Sequence, residues 1–273
     1  YRPTINWHQP ELRQIVQLGT PVLIGSVLIQ MNPIVDQIIA STLGPGVISA
    51  INYALKIIDI FVVLIFTTSA RAIFPYFSHQ VVANNYTGLK NTLRLYTWLI
   101  GVSTTALALI VFLFAPAIVG VLFERGNFTA QDAVLTVIIL RGFLPGLPAM
   151  GIGFIVPRVF SAIRRNDVLM WLAPISLAVN AVLDVLFSRY LGPVGISLST
   201  SFVYFTSLAV LISILTRIIG PLDLMSLPDF SALQSTRLAG GLRPFIARVA
   251  TAFQPLNVLR RRIVQAVLAV GFL

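Results

Sequence analysis

Long apolar runs follow one another along this chain, at residues 14–42, 47–77, 93–114, 133–163, 168–191 and 194–219. About 20 apolar residues suffice to cross the roughly 30 Å hydrocarbon core of a bilayer. Backbone groups in that core must be satisfied within the protein, which leaves helices or a closed barrel. None of the runs alternates with period two between turns, so a barrel is disfavoured. The expected fold class is therefore all-α: a polytopic membrane protein with a six-helix transmembrane bundle. Composition agrees, with 57% hydrophobic residues, 10% charged residues and a mean hydropathy of +0.90. A soluble domain carries about 25% charged residues. Disorder is ruled out, and an ordinary soluble globule is disfavoured.

The breaks between runs are turns and small polar loops. Pro33 permits a kink in the first run. Leu43-Gly44-Pro45-Gly46 is an uncharged tight turn. The second run is expected to end near Pro75, followed by a polar connection over residues 79–91. A short piece after Pro116, residues 117–123, reads as a bent continuation of the third run. Thr129 with Asp132 three residues on reads as a helix start close to a capping box. Four segments are expected: a cytoplasmic N-terminal segment (1–13), the transmembrane lobe (14–219), a cytoplasmic or interfacial linker (220–262) and the start of a further helix (263–273). Within the linker, Arg243, Arg248, Arg260, Arg261 and Arg262 lie among apolar residues, the pattern of a basic amphipathic segment at a membrane surface. The chain opens at Tyr1 and closes inside an apolar run, so both ends read as cut.

The formal net charge is +10. In a membrane protein such an excess marks cytoplasmic loops, and no aromatic-interleaved basic patch suggests nucleic acid. Six spans put Arg2, Arg13, Lys90, Arg94, Arg158, Arg164, Arg165 and Arg217 on one side, against Arg125 and Arg189 on the other. Both ends of the lobe are thus expected in the cytoplasm. There is no cysteine and there are two histidines, His8 and His79, which excludes disulfides, thiolate metal sites and a three-histidine site. No nucleophile–base set, paired carboxylates on one face or phosphate-cradling loop stands out. The chain is expected not to be an enzyme and to need no cofactor or metal. Gly151-Ile152-Gly153 inside a span reads as a packing feature.

An ionised side chain inside a span costs about 2.5–3.5 kcal/mol on insertion scales, so each one calls for a partner, a wet cavity or a function. The second run holds three: Lys56, Asp59 and Arg71. At about 100° per residue, Ser49, Asn52, Tyr53, Lys56, Asp59, Thr67 and Arg71 share a sector of roughly 120°. This polar stripe faces a bundle interior or an aqueous cavity. Lys56 and Asp59 are either a self-neutralising structural pair or a binding pair. Arg71 either lines the cavity or snorkels to the surface. A net positive cavity with hydroxyls and an amide suits an anionic, polyhydroxylated ligand such as a sugar phosphate. Asp36 is expected either to pair with Lys56 across the hairpin or to lie at the membrane interface. Arg141 and Asp184 are expected near the outer surface, snorkelling or capping.

Val35-Asp36-Gln37-Ile38-Ile39-Ala40-Ser41, then Leu43-Gly44-Pro45-Gly46, then Ser49-Ala50-Ile51-Asn52-Tyr53-Ala54, resemble the seventh and eighth helices of the MurJ/MviN lipid II flippases. Phe74-Pro75 with Ser78, Leu122-Phe123-Glu124-Arg125-Gly126-Asn127-Phe128, Gly146-Leu147-Pro148-Ala149 and Leu191-Gly192-Pro193-Val194-Gly195-Ile196-Ser197-Leu198 extend the resemblance over residues 10–220. That family belongs to the multidrug/oligosaccharidyl-lipid/polysaccharide exporter superfamily, with two six-helix lobes around a central cavity. The resemblance implies a C-terminal lobe in the inner membrane. It implies an absent N-terminal lobe as partner, and alternating access that flips a polyprenyl-pyrophosphate-linked sugar. The family's eighth helix carries a cavity arginine with a carboxylate three residues on; Lys56 and Asp59 occupy those places here. Leu55 stands where some members have aspartate, and Phe61-Val62-Val63 stands where a Pro-x-Gly turn is common. Arg71 stands where the family is usually small or apolar. Lys56 and Arg71 are expected to hold the pyrophosphate, Asp59 to orient Lys56, and Asn52 and Tyr53 to reach sugar or phosphate oxygens. A related polysaccharide or drug exporter and a non-transporting scaffold are the alternatives.

Overall fold

The computed structural model describes residues 19–20, 23–124 and 128–224 of the chain. The chain divides into two compact units, 1–222 and 223–273. Nearly all described residues belong to the first. The expected segments 1–13 and 263–273, and the linker beyond residue 224, lie outside the described residues. Among the described residues every regular element is helical. Six helices are long and apolar enough to cross a membrane: Leu23–Ala40, Val47–Val82, Tyr86–Phe123, Ala130–Ala162, Asn166–Leu191 and Pro193–Ile219. They are called the first to sixth spans.

The first span has a turn at Met31 and resumes as helix at Asn32, with Pro33 in the first turn of the new segment, where a missing N–H does no harm. Gly46 has φ +83°, a left-handed turn conformation open to glycine, and it starts the second span. The polar connection expected over residues 79–91 is shorter than its composition suggests. Helix runs to Val82 and starts again at Tyr86. Asn85 caps the third span by accepting from the Gly88 N–H at 2.8 Å. Helix also continues through Pro75 and Pro116, so residues 117–123 belong to the third span. Thr129 and Asp132 form the expected capping box at the start of the fourth.

The second span is not α-helical throughout. Val47–Phe61 is α-helix, Val62–Thr67 is π-helix and Thr68–Val82 is α-helix again. A π segment absorbs about one extra residue, so everything after it lags by about 100°. The lag keeps the core face continuous. Ala50, Ala54, Ile57 and Ile58 are buried before it, and Ala70, Ile73 and Phe77 after it. In an unbroken α-helix the second set would stand about a third of a turn away from the first. The Thr67 hydroxyl donates to the Val63 carbonyl at 2.8 Å, and the Thr68 hydroxyl reaches the same oxygen at 3.3 Å. Phe66, fully buried, packs on Phe154 with ring centroids 5.6 Å apart. A Cβ at Gly151 would come within 3.0 Å of the Phe66 ring and 2.9 Å of Ile100, which accounts for the glycine.

The fourth span contains a second irregularity. Leu144–Gly146 is a 3₁₀ turn carrying Pro145. The Gly146 N–H donates to the Ser201 hydroxyl at 3.2 Å, and that hydroxyl donates to the Gly142 carbonyl at 2.8 Å. Gly142 and Gly146 would be direct partners in an α-helix; a hydroxyl from the sixth span bridges them instead. Membrane helices tolerate breaks where a neighbour satisfies the freed groups in this way. Gly146 has to lack a side chain, because a Cβ there would lie 2.7 Å from the Ser201 Cα. Ser201→Val should therefore destabilise the lobe by about 1–3 kcal/mol, the penalty for stranding buried polar groups. A lowered thermal midpoint in detergent checks this, with Ser207→Val as a control.

Candidate functional site

A cleft of about 630 Å³ opens between the first, second, fourth and sixth spans. Asn52, Leu55, Lys56, Ile58 and Asp59 line it from the second span, Pro33 and Gln37 from the first, Phe143, Leu147 and Met150 from the fourth side, and Tyr204 from the sixth. The Gln37 amide donates to Asn52 Oδ1 at 3.5 Å, which fixes the amide orientation at the cleft wall. Lys56 and Asp59 are exposed to the cleft and form no ion pair with each other. The Lys56 ammonium instead sits 5.1 Å from the centre of the Tyr53 ring, a cation–π contact. A structural, self-neutralising pair is thus not what the side chains form. The result is one ammonium, one carboxylate, two amides and a phenol around an otherwise apolar hollow.

Three of the expected site residues lie elsewhere. Tyr53 turns to the neighbouring face, where its ring packs on Phe123 and Phe128 at 4.7 and 5.0 Å. Arg71 does not line the cleft. The π segment puts it in line with Asn52 and Asp59, but about 20 Å further along the helix axis than Lys56 at 1.5 Å per residue. Lys56 and Arg71 therefore cannot grip one pyrophosphate in this arrangement. The common 120° sector fixed only direction around the axis, and the axial separation is what takes Arg71 out of the cleft.

Asp36 pairs neither with Lys56 nor with the interface. It is 4% exposed, and Asn180 of the fifth span donates to its Oδ1 at 2.7 Å. The same Asn180 nitrogen donates to Asp184 at 2.9 Å, and the Ser199 hydroxyl of the sixth span donates to Asp184. Asp184 is fully buried, not placed at the outer surface as expected. A carboxylate pair thus does exist, assembled from the first and fifth spans. Its oxygens and hydroxyl suit a shared proton or a hard monovalent cation, either of which would compensate the paired charge. Among the described residues no group of three or more His, Cys, Asp or Glu is placed to hold a metal ion. Arg141 is half-buried, with its Nε donating to the Phe112 carbonyl at 3.2 Å and its guanidinium 4.9 Å from that ring's centre.

Sequence reasoning missed Gln37, Tyr204, Asn180 and Ser199. A signal existed for two of them. Asn180 and Asp184 are spaced i,i+4 in an apolar helix, and Ser197, Ser199, Thr200 and Ser201 cluster in the next.

The sequence model of the family described as "Lipid II flippase MurJ" matches residues 1–252. The chain belongs to the MurJ family. The probable lipid II flippase MurJ of Bdellovibrio bacteriovorus is 31% identical over 194 residues, covering 70% of this chain and 36% of that protein. A MurJ structure described as a lipid II flippase in an inward closed conformation superposes with TM-score 0.65 at 20% identity, over 96% of this chain and 57% of that one. An outward-facing multidrug resistance MATE transporter of the MOP superfamily reaches TM-score 0.64 at 16% identity, over 76% of this chain and 46% of that one. These last two likenesses show the fold alone, a six-helix lobe; the family match and the six apolar spans make it part of a multi-pass protein of the inner membrane. The chain spans well under half the length of the curated MurJ relative.

Proposed function

We propose that this chain is the C-terminal lobe of a MurJ-type flippase that moves a polyprenyl-pyrophosphate-linked sugar across the cytoplasmic membrane by alternating access. It would work with an N-terminal six-helix lobe facing the same cleft. The observation that carries the reading is Lys56, an ammonium without an acidic partner, standing in a cleft with the Asn52 and Gln37 amides. A cation held in an apolar hollow attracts an anion, and amides beside it supply donors for phosphate or sugar oxygens. Asp59 limits the net charge of the cleft and sets its lower wall. Transport without enzymatic chemistry fits these groups, since they bind and orient. The Asp36–Asn180–Asp184 cluster, beside the cleft-lining Gln37, is the natural place for a coupling proton or cation.

Lys56→Gln should weaken binding of a polyprenyl pyrophosphate by about 1.5–3 kcal/mol, roughly ten- to a hundredfold. Lys56→Arg should preserve or strengthen it, because a guanidinium grips two phosphate oxygens. Scintillation proximity binding on the chain in nanodiscs measures both. Transport is measured with the chain joined to a MurJ N-terminal lobe. Unchanged affinity in Lys56→Gln would rule out the phosphate-binding role.

A further inference from the structure

A second pocket, of about 410 Å³, lies at the end of the lobe away from the basic loops, between the second, third and fourth spans. We infer that it is a sugar-docking subsite, which receives a pyranose of the headgroup on the outer side of the membrane. This choice of ligand rests on the flippase reading given above.

Its walls combine aromatic faces with oxygen groups. Tyr53, Phe123 and Phe128 supply the rings, and Ser49, Asp132 and Thr136 supply the oxygens. Thr136 is fully buried, yet its hydroxyl has no hydrogen-bond partner. Such a group in a polar-lined hollow is costly unless something completes it. Asp132 spends its Oδ2 on the Thr129 backbone and hydroxyl at 2.9 and 2.7 Å, which leaves Oδ1 to accept from elsewhere. Gly46 leaves that oxygen uncovered, since a Cβ there would sit in van der Waals contact with it at 3.6 Å. Rings that take the C–H face of a pyranose, with a few placed acceptors for its hydroxyls, are the elements of a carbohydrate site. A cationic ligand fits less well, because Lys56 already holds its ammonium 5.1 Å from the Tyr53 ring. The pocket also gives a role to Phe123 and Phe128, which flank the Glu-Arg-Gly-Asn stretch.

Tyr53 joins this pocket to the cleft. Its neighbour Asn52 faces the cleft, and its ring touches Lys56. Phosphate and sugar would then be held on two faces of one helical turn.

The test uses the full chain in nanodiscs with diacetylchitobiose, a neutral aminosugar disaccharide, as the probe. Saturation-transfer NMR should show the disaccharide bound with millimolar affinity. Thr136→Val, an isosteric change that leaves no polar group stranded, should weaken it five- to tenfold. Ser49→Trp, which fills the pocket from an exposed position, should abolish it. No transfer to the disaccharide, or the same affinity in both variants, overturns the inference. If the disaccharide fails to bind while Lys56→Gln still weakens binding of the polyprenyl pyrophosphate, this subsite falls and the flippase reading stands. If it binds as described while Lys56→Gln is silent, the pocket remains a sugar site and the phosphate role of the cleft falls.

Discussion

Insertion of one alanine after Leu64 should leave the lobe unable to assemble its core. Leu64 is exposed and lies inside the π segment, so its own contacts contribute little. The π segment already absorbs one extra residue; a second one turns everything from Thr68 onward by about 100° relative to Val47–Phe61. Ala70, Ile73 and Phe77, each fully buried, would leave their places between the neighbouring spans. Losing a buried Phe alone costs about 3–5 kcal/mol, and an Ile about 2–5. Together these approach the whole 5–15 kcal/mol of a typical fold. The insertion should abolish the monodisperse peak in size-exclusion chromatography, whereas Leu64→Ala should leave it unchanged. Deletion of Leu64 should also keep it, because a continuous α-helix one residue shorter restores the same phase. Because the chain has no cysteine, Phe77→Cys reports directly. It should resist thiol reagents in the parent and react in the insertion variant. An insertion variant with an unshifted thermal midpoint would show the phase of the second span to be incidental to packing.

Asn180→Leu should be nearly as damaging, although it keeps the branched shape and changes no charge. Asn180 is 1% exposed, and its single amide nitrogen serves both Asp36 and Asp184. Leucine would leave two buried carboxylates without that donor. Breaking a buried charged network by removing one partner costs about 3–5 kcal/mol. At about 2–4 °C per kcal/mol for a domain of 150–250 residues, the midpoint should fall by roughly 6–20 °C. Adding Asp36→Leu to the same chain removes one of the stranded charges and should recover part of the loss. If the double variant is less stable than the single one, Asp36 contributes through packing and not through this network.

The six spans and their order were legible because bilayer thickness imposes one length on every apolar run. Helix ends were not. Residues 79–91 are polar because that stretch leaves the hydrocarbon, yet helix continues through much of it to Val82 and resumes at Tyr86. Polarity reports where the membrane stops, not where the hydrogen-bond ladder stops. Pro75 misled for a similar reason, since helices in lipid accommodate proline, as the expected continuation past Pro116 also shows. In the cleft, Asn52, Lys56 and Asp59 were readable as polar residues repeating on one helical face. Arg71 shares that face too, but its place about 20 Å along the axis from Lys56 takes it beyond the cleft, which an angular repeat does not register. The Asp36–Asp184 meeting joins residues far apart in the chain, and only the packing of the first span on the fifth brings them together. Val194–Ile196 and Gly195 show the converse. A Cβ at Gly195 would collide with the Phe187 carbonyl, so the Gly-Pro-Val-Gly stretch marks the close hairpin of the fifth and sixth spans.

The bridging hydroxyl of Ser201 has a mechanical side. A bond that stands in for part of another helix's ladder fixes the axial register of the two helices, since sliding by one residue would break three hydrogen bonds together. The Asn180 and Ser199 bonds pin the first, fifth and sixth spans in the same manner. The fourth, fifth and sixth spans thereby behave as a stator. The second span is tied to its neighbours by the long Gln37 bond to Asn52 and by the Gln80 amide, which donates to the Thr92 hydroxyl at 2.9 Å, with the compliant π turn at its middle. Elastic strain in this lobe would collect there, beside Lys56 and Asp59.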